Sequence, residues 1–325
     1  MAWYNSSWGK RKAITLTGGA SGAQTDYQVK LTVIYDSDMQ ADFDDLRFTK
    51  SDGTTLLDAW METYTASTSA TIWVETDTPD NTVEADIYMY YGNLGAVSSW
   101  SGDNTFEFFD NFEIGTCSGA APDWTNESGA SFTKVSTPVQ NGSCAADHST
   151  STTYAESYQS VGTNLSDRVF EFYARVPQSD VSEYMMIEKT AGSYSNAVYL
   201  YFGSGPKIYY YDGTTHEIQT YGINQWYRFE ITTHPTADTF DLKIDGVSKG
   251  TGLGTRGSIV GGINAISFMS SSTSKHLYID MIFMRKYAAN PATYGFGSEE
   301  DVPSTGSRCR VLFGPFMGPL GGPIG

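Results

Sequence analysis

Apolar and polar residues alternate along most of this chain. RKAITLTG (11–18), YQVKLTVIY (27–35), DLRFT (45–49), ATIWVET (70–76) and ADIYMYYGN (85–93) show the two-residue period of strands with one wet face. The turns between them, GGASGAQTD, SDGT (51–54) and DTPDNT (77–82), are rich in Gly and Asp. This pattern predicts a small antiparallel sandwich over residues 1–93, with Trp60 and Trp73 in its core. A short Gly/Ser stretch, 94–105, predicts a linker. A second series then runs over 106–300, including VFEFYARV (169–176), EYMMIEK (183–189), AVYLYF (197–202), WYRFEITT (226–233) and AISFMS (265–270). KIYYYDGTTHEI and TFDLKIDGVSKG are both strand–Asp-Gly–strand hairpin patterns. So many strands predict a two-sheet jelly roll. No apolar period of 3.6 residues is sustained, so the expected fold class is all-β: two antiparallel β-sandwich domains.

Residues 301–325 break the pattern and end in VLFGPFMGPLGGPIG. Pro and Gly at this density make neither a helix nor a central strand. The apolar Phe313, Phe316, Met317 and Leu320 nevertheless need a surface to cover them. An extended assembly arm is expected, docked on another copy of the chain or on other virion or surface proteins.

Composition narrows the partners. The 325 residues carry 22 Tyr, 17 Phe and 7 Trp, and a formal net charge of −17. Such a surface repels nucleic-acid phosphates, and KRK (10–12) is the only basic run to offset it. No run is long enough to span a membrane, and the start, MAWYNSSWGKRK, lacks the apolar stretch of a secretion signal. Of the three cysteines, Cys117 and Cys144 either pair or stay free, with Cys309 left over.

The order W-x-x-RKAITLT, DYQVKLTV, DFDDLRFTKSDGTTLLDAWMET, ATIWVET, DIYMYYGN resembles a domain of unknown function found in archaeal, bacterial and viral surface proteins. In that family it is commonly followed by a concanavalin A-like (laminin-G-like) jelly roll. FFDNFE, INQWYRFEIT, FDLKIDG and YIDMIFMRKYAANPATYGFGSEE are similar to such a jelly roll. The resemblance implies two β-sandwiches and a cell-surface or virion-surface setting, and no defined activity.

Four residues are candidate metal ligands: Asp110, Asn111 and Glu113 in FEFFDNFE, and Asp280 in HLYIDMIFMRKY. If these first and last strands lie side by side, Asp110 meets Asp280. The resemblance adds that related jelly rolls often hold a structural Ca²⁺ here, and oxygen ligands suit that ion. The aspartates of DFDDLRF (42–48) lack the Gly and Glu of a calcium loop, so a structural turn is expected. Catalytic patterns are missing: there is no Glu-x-Asp-x-x-Glu strand and no Gly-x-Ser-x-Gly, and the four histidines are scattered. Tyr209 and Tyr211, with Asp212 beside them, are the candidate glycan contacts, since alternation must put at least one ring of Tyr209–Tyr211 on the wet face. The expected function is a non-enzymatic virion-surface structural or adhesion protein with a lectin-like domain. The alternative is a secreted or cell-wall carbohydrate-binding module, and a glycan-active enzyme comes third.

Overall fold

A computed structural model describes residues 2–121, 123–179 and 182–303. The chain is nearly all β, with one helix among the described residues, the single turn Gly102–Thr105 inside the expected linker. Ser101 caps it by accepting from the Asn104 amide.

Two sandwiches form. In the first, a sheet of Thr293–Asp301, Lys10–Thr17, Glu84–Tyr91 and Arg47–Thr49 faces a sheet of Gln24–Ile34, Ser69–Thr78 and Ala59–Thr65. Alternate residues such as Ile14, Leu16, Val29, Leu31, Ile72 and Val74 meet between the sheets with almost no exposure. Asp42–Asp45 makes a turn, as its sequence suggests. Phe43 takes a positive φ of 63°, and the buried Asp45 carboxylate accepts the amides of Gln40, Gly92 and Asn93.

In the second sandwich, one sheet runs in the order Val247–Gly254, Thr239–Ile244, Tyr227–His234, Arg168–Arg175, His276–Lys286, Ala145–Thr150, Ala130–Val135. Phe108–Asp110 also pairs with His276–Lys286. The opposing sheet runs Thr215–Thr220, Lys207–Tyr211, Ala197–Gly203, Glu183–Glu188, Ile263–Ser270, Ala155–Asn164, Thr125–Asn126. Phe172, Leu200, Phe229, Phe268 and Ile279 fill the space between them. Both Asp-Gly hairpins form. In one, Asp245 and Gly246 have φ of 52° and 76°, the left-handed pair that tight hairpins need. Cys117 and Cys144 are joined as a disulfide.

One boundary differs from expectation. Thr293–Asp301, placed by its sequence in the jelly roll, returns to the first sandwich as its edge strand. Charge explains the choice. Lys10, Arg11 and Lys12 stand opposite Asp301, Glu300 and Glu299. Lys10 Nζ lies 2.7 Å from Glu299 and 2.9 Å from Asp301, and Arg11 lies 2.6 Å from Glu300. The basic run is the template for the acidic strand.

A second difference concerns the tryptophans. Trp60 and Trp73 are buried, but with Phe106, Met281 and Phe283 they form a seam between the sandwiches. Around this seam Glu62 receives Lys30 at 3.0 Å, Arg228 at 2.7 Å and Trp73 Nε1 at 2.8 Å. Glu171 in turn binds Arg228 and, at 2.8 Å, Arg285. The expected arm residues Phe313, Phe316, Met317 and Leu320 lie outside the described residues.

Candidate functional site: a tyrosine face

Strand alternation sorts the aromatic run 207–211 cleanly. Ile208 and Tyr210 turn inward, where Tyr210 packs on Phe240, and Tyr209 and Tyr211 turn outward. The register then gathers more rings on the same outward face. Tyr201 stands opposite both Tyr209 and Tyr184, and Tyr199 stands opposite Met186. Tyr201 and Tyr209 stack at 5.1 Å and 23°, and Tyr184 lies 5.0 Å from Tyr199 and 5.3 Å from Tyr201. Tyr199 is nearly buried, while Tyr184, Tyr201, Tyr209 and Tyr211 are half-buried with part of each ring in water.

Two features fix the rings of this face in place. Gly203 is the next outward position after Tyr201, and a Cβ there would come within 2.7 Å of the Tyr209 ring. The missing side chain is the space that Tyr209 occupies. At the other end, the Arg256 guanidinium sits over Tyr199 at 4.7 Å, Tyr194 at 4.9 Å and Tyr211 at 5.7 Å. Hydroxyls supply polar edges: Tyr201 donates to Thr215 and Tyr209 to the Ser204 carbonyl. Asp212 is spent on its own turn. It accepts from the Thr214 amide and hydroxyl and lies 3.0 Å from His216 Nε2, and these bonds hold its carboxyl below the usual range.

The expected metal set is divided. The strand pairing is present, but Asp110 stands opposite Ile282, not Asp280. Between them Met281 has a positive φ of 53°, and the ladder shifts register at this point. That bulge re-aims the chain. Asp110 accepts from Trp124 Nε1 at 2.8 Å and from the Phe112 amide. Asp280 accepts from the Gln140 and Asn141 amides, beside the first sandwich. Asn111 accepts from the Glu113 amide, and Glu113 accepts from Ser143 and Cys144. Among the described residues, the three acids that gather tightly enough for one ion are Asp36, Asp38 and Glu299, and Lys10 and Lys12 already answer them. Asp280 keeps one buried oxygen without a partner, and burial, with Glu113 near, pushes its carboxyl up to about 7.

Asn111, Glu113, Gln140 and Asn141 also line a cleft of about 430 Å³ against Trp60 and Tyr64 of the first sandwich. It is a concave surface formed only where the two units meet.

Sequence reasoning missed another group on the tyrosine-bearing sheet. Glu188 stands opposite Ala265, and Glu156 opposite Met269, on either side of the central strand Ile263–Ser270. Both glutamates are fully buried. Burial raises the affinity of both for a proton, and the charge of Glu188 raises that of Glu156 further. Nothing in the spacing of AESYQS and MMIEK announces this meeting, because a third strand from about 80 residues on lies between them.

Comparisons with known proteins add the following. A family model described as Domain of unknown function (DUF2341) matches residues 42–127, about a quarter of the chain, running from the first sandwich past the linker. No curated protein matches the sequence. Among solved structures, a sialidase is similar with 12% identity and a TM-score of 0.44, over 62% of this chain and 20% of that one. The chain thus spans about a fifth of that protein's length. "Cellulose induced protein, Cip1" is similar with 14% identity and a TM-score of 0.43, over 55% of this chain and 97% of that one. The tandem CBM22-1–CBM22-2 domain of Paenibacillus barcinonensis Xyn10C has 11% identity and a TM-score of 0.33, over 87% and 80% of the two chains. At these TM-scores the likeness assigns neither a ligand nor an activity.

Proposed function

We propose that the chain is a glycan-recognition protein that binds saccharide on the tyrosine face, without catalysis, in an extracellular or cell-surface setting. The single observation that carries this reading is the outward cluster of Tyr184, Tyr199, Tyr201, Tyr209 and Tyr211. A sugar ring has one or both faces lined by C–H groups, which pack on the π-face of an aromatic ring, while its hydroxyls need hydrogen-bond partners at the rim. Rings preset by packing lose little entropy on binding. Tyr is well suited, with an apolar body and a polar tip. The net charge of −17 favours neutral over acidic saccharides. The disulfide fits an oxidising compartment. Of the settings open from sequence, the secreted or cell-wall module is therefore preferred to the virion-surface protein.

Affinity electrophoresis through gels containing soluble neutral polysaccharides tests this. Wild-type protein is expected to be retarded by at least one. Tyr201→Ala and Tyr209→Ala should each weaken that retardation by about tenfold, the loss of one good stacking contact of about 1–1.5 kcal/mol. Equal retardation of both variants with unchanged folding would remove the tyrosine face from the binding site.

A further inference from the structure

We propose that Glu156, Glu188 and Ser267 form a buried site for a divalent cation of the calcium class, on the same sheet as the tyrosine face and separate from Asp110, Glu113 and Asp280. The three residues converge from three adjacent strands. Ser267 lies midway along the central strand, between the position opposite Glu156 and the position opposite Glu188. Registers place all three on the outward face, with Met186 and Met269 beside them.

Four of the five side-chain oxygens involved are buried without a hydrogen bond of normal geometry. Both carboxylate oxygens of Glu156, Glu188 Oε1 and the Ser267 hydroxyl approach one another, but none completes a hydrogen bond of normal geometry. All three residues are at 0% exposure. The hydroxyl is the observation independent of the acids: a buried serine whose Oγ reaches toward both carboxylates, yet meets neither in full hydrogen-bond geometry, lacks only a shared ligand. The charges that act most strongly on Glu156 are those of Glu188 and Glu127, both negative, and among the described residues no lysine or arginine pairs with Glu156 or Glu188. Burying a carboxylate without a counter-charge is costly. A hard cation with oxygen ligands cancels both charges at once, and two glutamates with a hydroxyl supply up to five oxygens to an ion that takes six to eight.

The site has a roof. The turn after Glu188 folds over it, with the Ser193 amide directed at Glu188 Oε2 at 3.4 Å and Gly192 lying against the Tyr158 ring. The same turn carries Tyr194, which Arg256 couples to Tyr199 and Tyr211. An ion between the glutamates therefore braces one border of the tyrosine face. This last consequence rests on the glycan reading, while the ion site itself does not.

The test uses the full chain stripped with a chelator. Adding calcium to saturation is expected to raise the melting temperature by about 4 °C or more, since a ligand present well above its Kd stabilises the folded state by mass action. Terbium, which replaces calcium, should bind with tyrosine-sensitised luminescence from the adjoining Tyr158. The double variant Glu156→Gln/Glu188→Gln keeps size and removes the repulsion, so it is expected to fold and to lose both signals. Asp280→Asn should keep both. If the stripped wild type neither binds terbium nor responds to calcium, the two carboxyls share a proton instead and the proposal is wrong. It is equally wrong if the double variant keeps the response or Asp280→Asn abolishes it, because the ion then sits at the other group. If the double variant fails to fold, terbium luminescence of a Tyr158→Phe variant decides: undiminished emission places the ion away from this face.

Discussion

Glu171→Ala is expected to lower the unfolding free energy by about 3–5 kcal/mol, the loss typical when one member of a buried ion network is removed and its partners stay. Glu171 is 1% exposed and faces both Arg228 and Arg285. Burial alone would raise its pKa, but Arg285, Arg228 and Lys30 overcome that and hold it down to about 2. The sign of the pH dependence follows. A carboxyl with a depressed folded pKa stabilises above its unfolded value of 4.5 and loses that contribution as pH falls toward 2. The contribution is about 3 kcal/mol. Arg228 carries the same network into the first sandwich through Glu62, so the variant should also loosen the seam. Urea unfolding at neutral pH measures the loss. A change below about 1 kcal/mol would mean that the network behaves as an exposed one.

His148 gives the second large effect. It lies in the sandwich interior near Phe132, at 0% exposure, with neither ring nitrogen paired. Burial pushes its pKa down to about 3. The folded chain thus refuses a proton that the unfolded chain accepts below the ordinary value of 6.5. Stability falls as pH drops through this window, by about 3 kcal/mol at pH 4 from this group alone. His148→Leu keeps an apolar side chain of similar size in the core and has no proton to accept. It should match or exceed the wild type at pH 7, where an unsatisfied buried polar group costs about 1–3 kcal/mol, and it should flatten the acid limb of the stability curve. Unfolding curves from pH 7 to 4 check this. An acid limb as steep in the variant as in the wild type would contradict it.

Much of the fold was legible because the two-residue period is a local signal. Each strand named from alternation forms, and Asp245–Gly246 turns as its dipeptide implies. Tyr209 and Tyr211 face outward for the same reason. What was not legible depends on pairing between distant segments. The acidic strand Thr293–Asp301 joins Lys10–Thr17 across nearly the whole chain, and only the complementary charges of KRK and SEED hinted at it. The separation of Asp110 from Asp280 turns on a left-handed Met281, a residue type that gives no warning of a bulge. Glu156 and Glu188 come together because the sheet inserts Ile263–Ser270 between their strands, an order that alternation cannot supply. Trp60 and Trp73 have the pattern of core residues, and pattern does not distinguish the inside of one unit from the seam between two.

Hydroxyl-radical footprinting of the protein with and without a retained polysaccharide tests the central claim most directly. The half-exposed rings Tyr184, Tyr201, Tyr209 and Tyr211 are predicted to be protected together, with Tyr64 at the interdomain cleft unchanged. Protection at Tyr64 and the cleft, with the four tyrosines as reactive as before, would contradict it.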